Sequence, residues 1–274
     1  MYHTRMNMIP SHARSNIAFP LLALVGLGLL APCGFGDDEG LEAVLRTFGP
    51  GVVVPREGAV SIPEIASFFD GELGTRTFTV VEGNDRGTDI DITVQEDGKA
   101  ADIHVLRIGD LRTTTVLVRP DGLYRSIEVD HSTKSIATFK PDEPVCLVHA
   151  VPGEPVRASI QVSVSSVDDP DKTTHQGTLE CVYEVLGAFT VNSPAGKFQT
   201  TCIRTSYRGS VGPAEIDDAQ YVFFAPRLGP VAIRSFDHVK AMIVYDKTQK
   251  ASLLLKQYRG QAAPDPGSGP GASK

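Results

Sequence analysis

From Gly74 onward, apolar and polar residues alternate with a period of two. In "DIDITV", Ile90, Ile92 and Val94 share one face, and Asp89, Asp91 and Thr93 share the other. "VRASIQVSV" likewise turns Val156, Ala158, Ile160, Val162 and Val164 inward. Such alternation marks a strand with one dry and one wet face. The pattern predicts further strands over 75–81, 101–108, 112–118, 123–129, 133–139, 178–185, 197–207, 219–225, 230–236, 241–246 and 251–258. Turn-forming clusters separate them, among them "EDGK", "IGDL", "RPDG", "DDPDK", "SPAGK" and "YDKTQK". No helical spacer is long enough for a parallel crossover, so pairing must be antiparallel.

Upstream of the strands the period changes. "DEGLEAVLRTFG" places Leu41, Val44, Leu45 and Phe48 at helical spacing, with an acidic start and a glycine stop. Ser61 can cap a second short helix, "IPEIASFF", with Pro63 in its first turn. The fold predicted is therefore all-β: a large curved antiparallel sheet, a half-barrel or open barrel, with one or two short N-terminal helices. The chain divides into an export segment (1–36), a helical segment and linker (37–67), the β domain (68–259) and a disordered tail rich in Gly, Pro and Ala (260–274).

The export reading rests on Arg5 and Arg14, followed by the uncharged, mostly apolar run "IAFPLLALVGLGLLAP" from Ile17 to Pro32. Such a run is typical of a signal peptide. "LAPC" resembles a bacterial lipobox and makes Cys33 a candidate for lipidation; the rival is ordinary cleavage close to Gly36. Either route puts the domain outside the cytoplasm, in the periplasm or anchored at the outer membrane. The net charge is -7, with lysines and arginines dispersed, which argues against a nucleic-acid surface.

Candidate chemistry is sparse. Beyond Cys33, the cysteines are Cys146, Cys181 and Cys202, an odd number. A tight turn centred on Ala195-Gly196 places Cys202 opposite Phe189, too far along the strand from Cys181 for a disulfide. "DIDIT" at Asp89 has the letters of a phosphotransferase loop but lacks the buried strand before it and the helix after it. "DDPDK", Asp168 to Lys172, lacks the ligand spacing of a calcium loop. The histidines show no zinc spacing, and there is neither a G-x-S-x-G elbow nor a P-loop. The expectation is no catalytic residue, no metal site and no cofactor. A hydrolase would have to gather residues such as Asp70, His104, His131 and His238 by folding alone.

Three corners carry a resemblance: Gly74-Thr75, then Pro194-Ala195-Gly196-Lys197-Phe198, then Phe224-Ala225-Pro226-Arg227-Leu228-Gly229-Pro230-Val231. Together they resemble a loose group of uncharacterised bacterial envelope proteins, many with lipoprotein signals. Pro194, Gly196, Pro226 and Gly229 define the corners; Arg227 stands where that group has glycine. The resemblance implies a curved sheet comparable to the half-barrels of lipoprotein carriers, with a concave face lined by residues such as Ile160, Val162, Phe198 and Ile203. The function expected is non-catalytic binding of an apolar small molecule, a lipid or an envelope protein. The alternative is a membrane-anchored structural or adaptor protein.

Overall fold

The alternation seen in the sequence is realised in a computed structural model that describes residues 40–58, 73–98, 100, 102–241 and 245–260. Cys33, Asp70, the second predicted helix and the C-terminal tail lie outside the described residues. The helix predicted from Asp38 onward is α1, Leu41–Thr47. It ends where Gly49 adopts φ +100°, a value that favours glycine. A three-residue strand β1, Val53–Pro55, follows.

Twelve strands then run in sequence. The first six are β2 (Gly74–Glu82), β3 (Asp89–Glu96), β4 (Ile103–Ile108), β5 (Arg112–Arg119), β6 (Gly122–Asp130) and β7 (Ser135–Leu147). The remainder are β8 (Val156–Ser166), β9 (Asp169–Ser193), β10 (Gly196–Val211), β11 (Ala214–Ala225), β12 (Gly229–Ala241) and β13 (Tyr245–Gly260). Each pairs antiparallel with its neighbour in sequence, and β13 pairs back onto β2 from Ser252↔Glu82 to Gly260↔Gly74.

The sheet is therefore a closed, twelve-stranded up-and-down barrel, not the expected half-barrel or open barrel. The reason is non-local. Two bulges in this ladder, one with Val81 of β2 as the extra residue and one with Lys256 of β13, bend the last strand and the first onto each other. No turn signal reports a pairing between segments so far apart in sequence. Closure also removes the free edges an open sheet would present.

Three local expectations need correction. "YDKTQK" is not a turn: Tyr245 to Lys250 belong to β13 and pair with β12 up to Ala241. The strand predicted over 133–139 does not stop there: β7 runs on through Pro141 and Pro144 to Leu147. Beyond Lys140, β7 stays with β6 but has no register partner in β8, so prolines without an N–H interrupt no ladder on that side. The β9–β10 turn is centred on Pro194-Ala195, with Gly196 opposite Ser193. Cys202 then faces Gly187, where a bulge absorbs Leu186, and Cys181 faces Tyr207. The two thiols stay apart, and Cys146, Cys181 and Cys202 are all free and buried.

The other corner explains its own departure. Arg227 sits at φ +59°, the conformation for which the resembled group has glycine. Buried Arg76 donates from Nε to Leu228 O at 2.8 Å and so holds the same turn from inside.

The outer wall of β10–β13 is covered by α1 and β1. Phe48 meets Phe223 edge-on at 5.8 Å, and Phe189 meets the same ring at 5.4 Å. Ser252 links this cover to the wall: its hydroxyl lies 3.1 Å from that of Thr47 and 3.2 Å from Glu82 Oε2. Arg234, 1% exposed, donates to the same Glu82 oxygen at 2.8 Å. With cover outside and core inside, the middle of β10 is buried on both faces, which is why it shows no clean alternation.

Candidate functional site

Polar side chains break the apolar inner face of the barrel at one level. Along β11 the inward positions read Ala214, Ile216, Asp218, Gln220, Val222 and Phe224. Along β12 they read Ile233, Ser235, Asp237, Val239 and Ala241. β10 contributes Thr205 and Tyr207, β5 Arg112 and Thr114, β6 Arg125 and Glu128, and β7 Glu143. On one side of this level lies an apolar cluster that includes Phe139, Ile160, Val162, Val164 and Leu179. On the other lies a larger one with Phe78, Val94, Leu123, Ile203 and Val222.

The polar level is an ion-pair network. Arg125 donates from Nε to Glu143 at 2.8 Å and from Nη1 to Glu128 at 2.9 Å. Its guanidinium also stacks 4.7 Å from the Phe139 ring. Arg112 reaches Glu128 at 3.4 Å and Asp130 at 3.8 Å. Tyr207 donates its hydroxyl to Glu143. Burial opposes charge on Arg125, but Glu143 and Glu128 outweigh it and hold the guanidinium protonated. Glu143 is pushed up by burial, against the pull of Arg125 and Tyr207.

Asp218 and Asp237 extend the network without a cation of their own. Burial first, then the Asp217 charge, push Asp218 up to about 7, against a hydrogen bond from the His238 backbone N–H at 3.1 Å. Asp237 is raised well above the ordinary carboxylate range by burial and by Asp218. Its Oδ1 has no hydrogen-bond partner among the described residues.

A cavity of about 160 Å³ sits between this polar level and the larger apolar cluster. Ile203 lines it. Ile160 and Val162 lie instead in the packed cluster beyond the network, at 1% and 0% exposure. Phe198 is half-buried on the β9–β10 hairpin, against the edge of the larger cluster. The four residues expected on one concave face are thus distributed over three places.

The outer wall offers a second concavity. A polar groove of about 980 Å³ runs over β13, β2 and β3 to the β4–β5 turn. Thr77 donates to Asp91 at 2.6 Å and Thr79 to Asp89 at 2.8 Å, so the aspartates of "DIDIT" are bound in a surface ladder. Lys256, the extra residue of a β13 bulge, reaches Asp89 at 2.5 Å.

The histidines are dispersed. His104 is buried on β4, His131 follows β6 and pairs with Thr113 at 2.8 Å, and His238 on β12 pairs with Asp246 at 2.8 Å. Among the described residues, no group of His, Cys, Asp and Glu is arranged to hold a metal, and no helix is long and apolar enough to cross a membrane. The interior network does not emerge from the sequence pattern alone. Its signal is confined to Asp218 and Asp237, each at an inward position of a strand face that also carries one uncharged polar residue, Gln220 or Ser235, among apolar ones.

No protein-family model and no curated protein matches the chain. Among solved structures it is similar to the hypothetical lipoprotein YmcC from Escherichia coli, at 9% identity, over 83% of this chain and 100% of that one, with a TM-score of 0.40. It is also similar to a candidate lipoprotein from Parabacteroides distasonis, at 10% identity over 69% and 95%, with a TM-score of 0.35. A candidate exported protein with a YmcC-like fold from Bacteroides fragilis matches at 11% identity over 69% and 94%, with a TM-score of 0.37. Likeness this distant transfers no function.

Proposed function

We propose that the chain is an exported, non-catalytic envelope protein, tethered through Cys33, whose barrel is a rigid body that engages an envelope partner through its outer wall. The observation that carries this reading is the filled interior. Sites for lipids or drug-sized ligands enclose roughly 300–1,000 Å³, and the cavity here has about 160 Å³. The side chains able to act as acids, bases or nucleophiles inside the barrel are paired with one another or deeply buried, which supports binding over reaction. The groove over β2 and β3 is the larger concavity, and its threonines, aspartates and Arg259 suit a polar surface.

The test is photocrosslinking in intact cells, with the probe placed at Gln95 in the groove or at Arg157 on β8. Both positions are exposed. A discrete adduct from Gln95 and none from Arg157 is the expected result. Adducts from neither position, or equally from both, would remove the groove from the account.

A further inference from the structure

The cavity has an apolar wall and a polar floor at which three uncharged side chains stand beside the ion-pair network. Thr205 and Gln220 are register partners on β10 and β11. Thr114 of β5 lines the same cavity. Thr114 and Thr205 are each 7% exposed. None of these three side chains hydrogen-bonds any described residue. Polar groups inside a folded chain normally find a partner, and these three, half-buried Gln220 included, face one void, which points to an occupant that supplies it. The walls above them are Phe78, Val94, Val116, Ile203, Val222 and Phe224.

Size and charge narrow the occupant. A dry cavity of about 150 Å³ is enough to hold benzene. Arg112 and Arg125 at the floor are already ion-paired to Glu128, Asp130 and Glu143, and Arg76 on the wall is committed to Leu228 O. The cations around the cavity are thus engaged, and the carboxylates beside them repel an anionic headgroup. Glu143, Pro144 and Val145 also line the cavity, and they belong to the part of β7 that has no register partner in β8.

We propose that this cavity binds a small neutral amphiphile, one ring or branched chain of about six to eight heavy atoms, whose single hydroxyl or amide group bonds to Thr114, Thr205 and Gln220. The site is separate from the outer groove, and its test does not depend on any envelope partner.

Phenol, benzene and benzoate are the probes, titrated into the exported form of the chain and read by calorimetry and by the shift in melting temperature. Phenol binds and raises the melting temperature. Benzene binds about tenfold more weakly, the worth of one neutral hydrogen bond, and benzoate does not bind. Thr205→Val, close to isosteric, lowers phenol affinity severalfold toward that of benzene and leaves benzene unchanged. Val222→Phe fills the void and abolishes both. Phenol binding no better than benzene in the wild type, or phenol affinity untouched by Thr205→Val, overturns the proposal. So does the absence of any binding, which would leave ordered water as the occupant.

Discussion

Asp218 and Asp237 are register partners across the β11–β12 ladder, 3% and 6% exposed, with both side chains directed into the barrel. Two carboxylates so placed cannot both ionise cheaply. Arg112 and Lys247 act to ionise Asp237, while Glu128 acts against it.

Stability should therefore depend on pH in a defined direction. Both folded-state values are raised, so the folded chain holds protons that the unfolded chain releases near pH 4. The stabilisation is complete below that point and is lost as pH rises through about 7, the value for Asp218. The melting temperature is expected to fall between pH 5 and pH 8. Asp237→Asn removes one partner and should flatten the profile. A wild-type profile already flat over that interval would refute the raised values of this pair.

Glu143 joins three strands, because it accepts from Arg125 of β6 and Tyr207 of β10. Glu143→Ala leaves the buried Arg125 guanidinium with Glu128 alone and Tyr207 without its acceptor, a loss approaching about 3–5 kcal/mol. The half-buried pair Arg204–Glu184 gives the contrast. Glu184→Ala should cost about 1 kcal/mol or less. Urea midpoints of the two variants should differ accordingly; equal midpoints would mean that the interior network contributes little.

Gly177 is required by strand approach, not by its backbone angle. A Cβ there would lie 1.8 Å from Ser210 O and 2.5 Å from Val211 Cα, both of them backbone atoms. Gly177→Ala should destabilise by about 1–3 kcal/mol or more. Ala at Gly87 meets nothing within 4 Å and has only its φ of +90° to overcome. Denaturant titration that ranks Gly87→Ala as the worse variant would contradict this geometry.

The three barrel cysteines should be silent in the native state. Burial pushes Cys146 and Cys181 up to about 12 and Cys202 higher still. A maleimide reagent at pH 7.5 should label none of them until denaturant is added, then all three. Mass spectrometry of the intact, non-reduced chain should show no disulfide among them.

The anchor is tested directly. Growth with an alkyne fatty acid should label the wild type and leave Cys33→Ala unlabelled and released from the membrane fraction. An unlabelled wild type means simple cleavage and a freely diffusing barrel.

How far the sequence speaks depends on range. Ile90, Ile92 and Val94 announce their strand because one side faces the core and the other faces water. The hydrogen bond from Thr79 to Asp89 decorates the wet side and leaves that pattern unchanged. β10 is ambiguous because Phe48 and Phe189 cover its outside, which erases the alternation. Closure is invisible because it depends on Gly74 meeting Gly260. The interior network is invisible because each strand contributes only one or two of its members. An isolated Asp218 or Glu128 in a sequence looks like any surface carboxylate until folding places the two on one level.

Gly74 and Gly260 lie side by side, so the chain begins and completes the barrel at a single point on one rim. Covalently joining those two ends and opening any one of the two-residue hairpins would give a circular permutant that keeps the ladders of the twelve barrel strands and dispenses with α1 and the β1–β9 pairing. It also means that whatever precedes and whatever follows the barrel emerge together. A cargo fused after Gly260 would leave from that rim, and the opposite rim, with the Val167-Asp168 and Gly212-Pro213 turns, would be left clear.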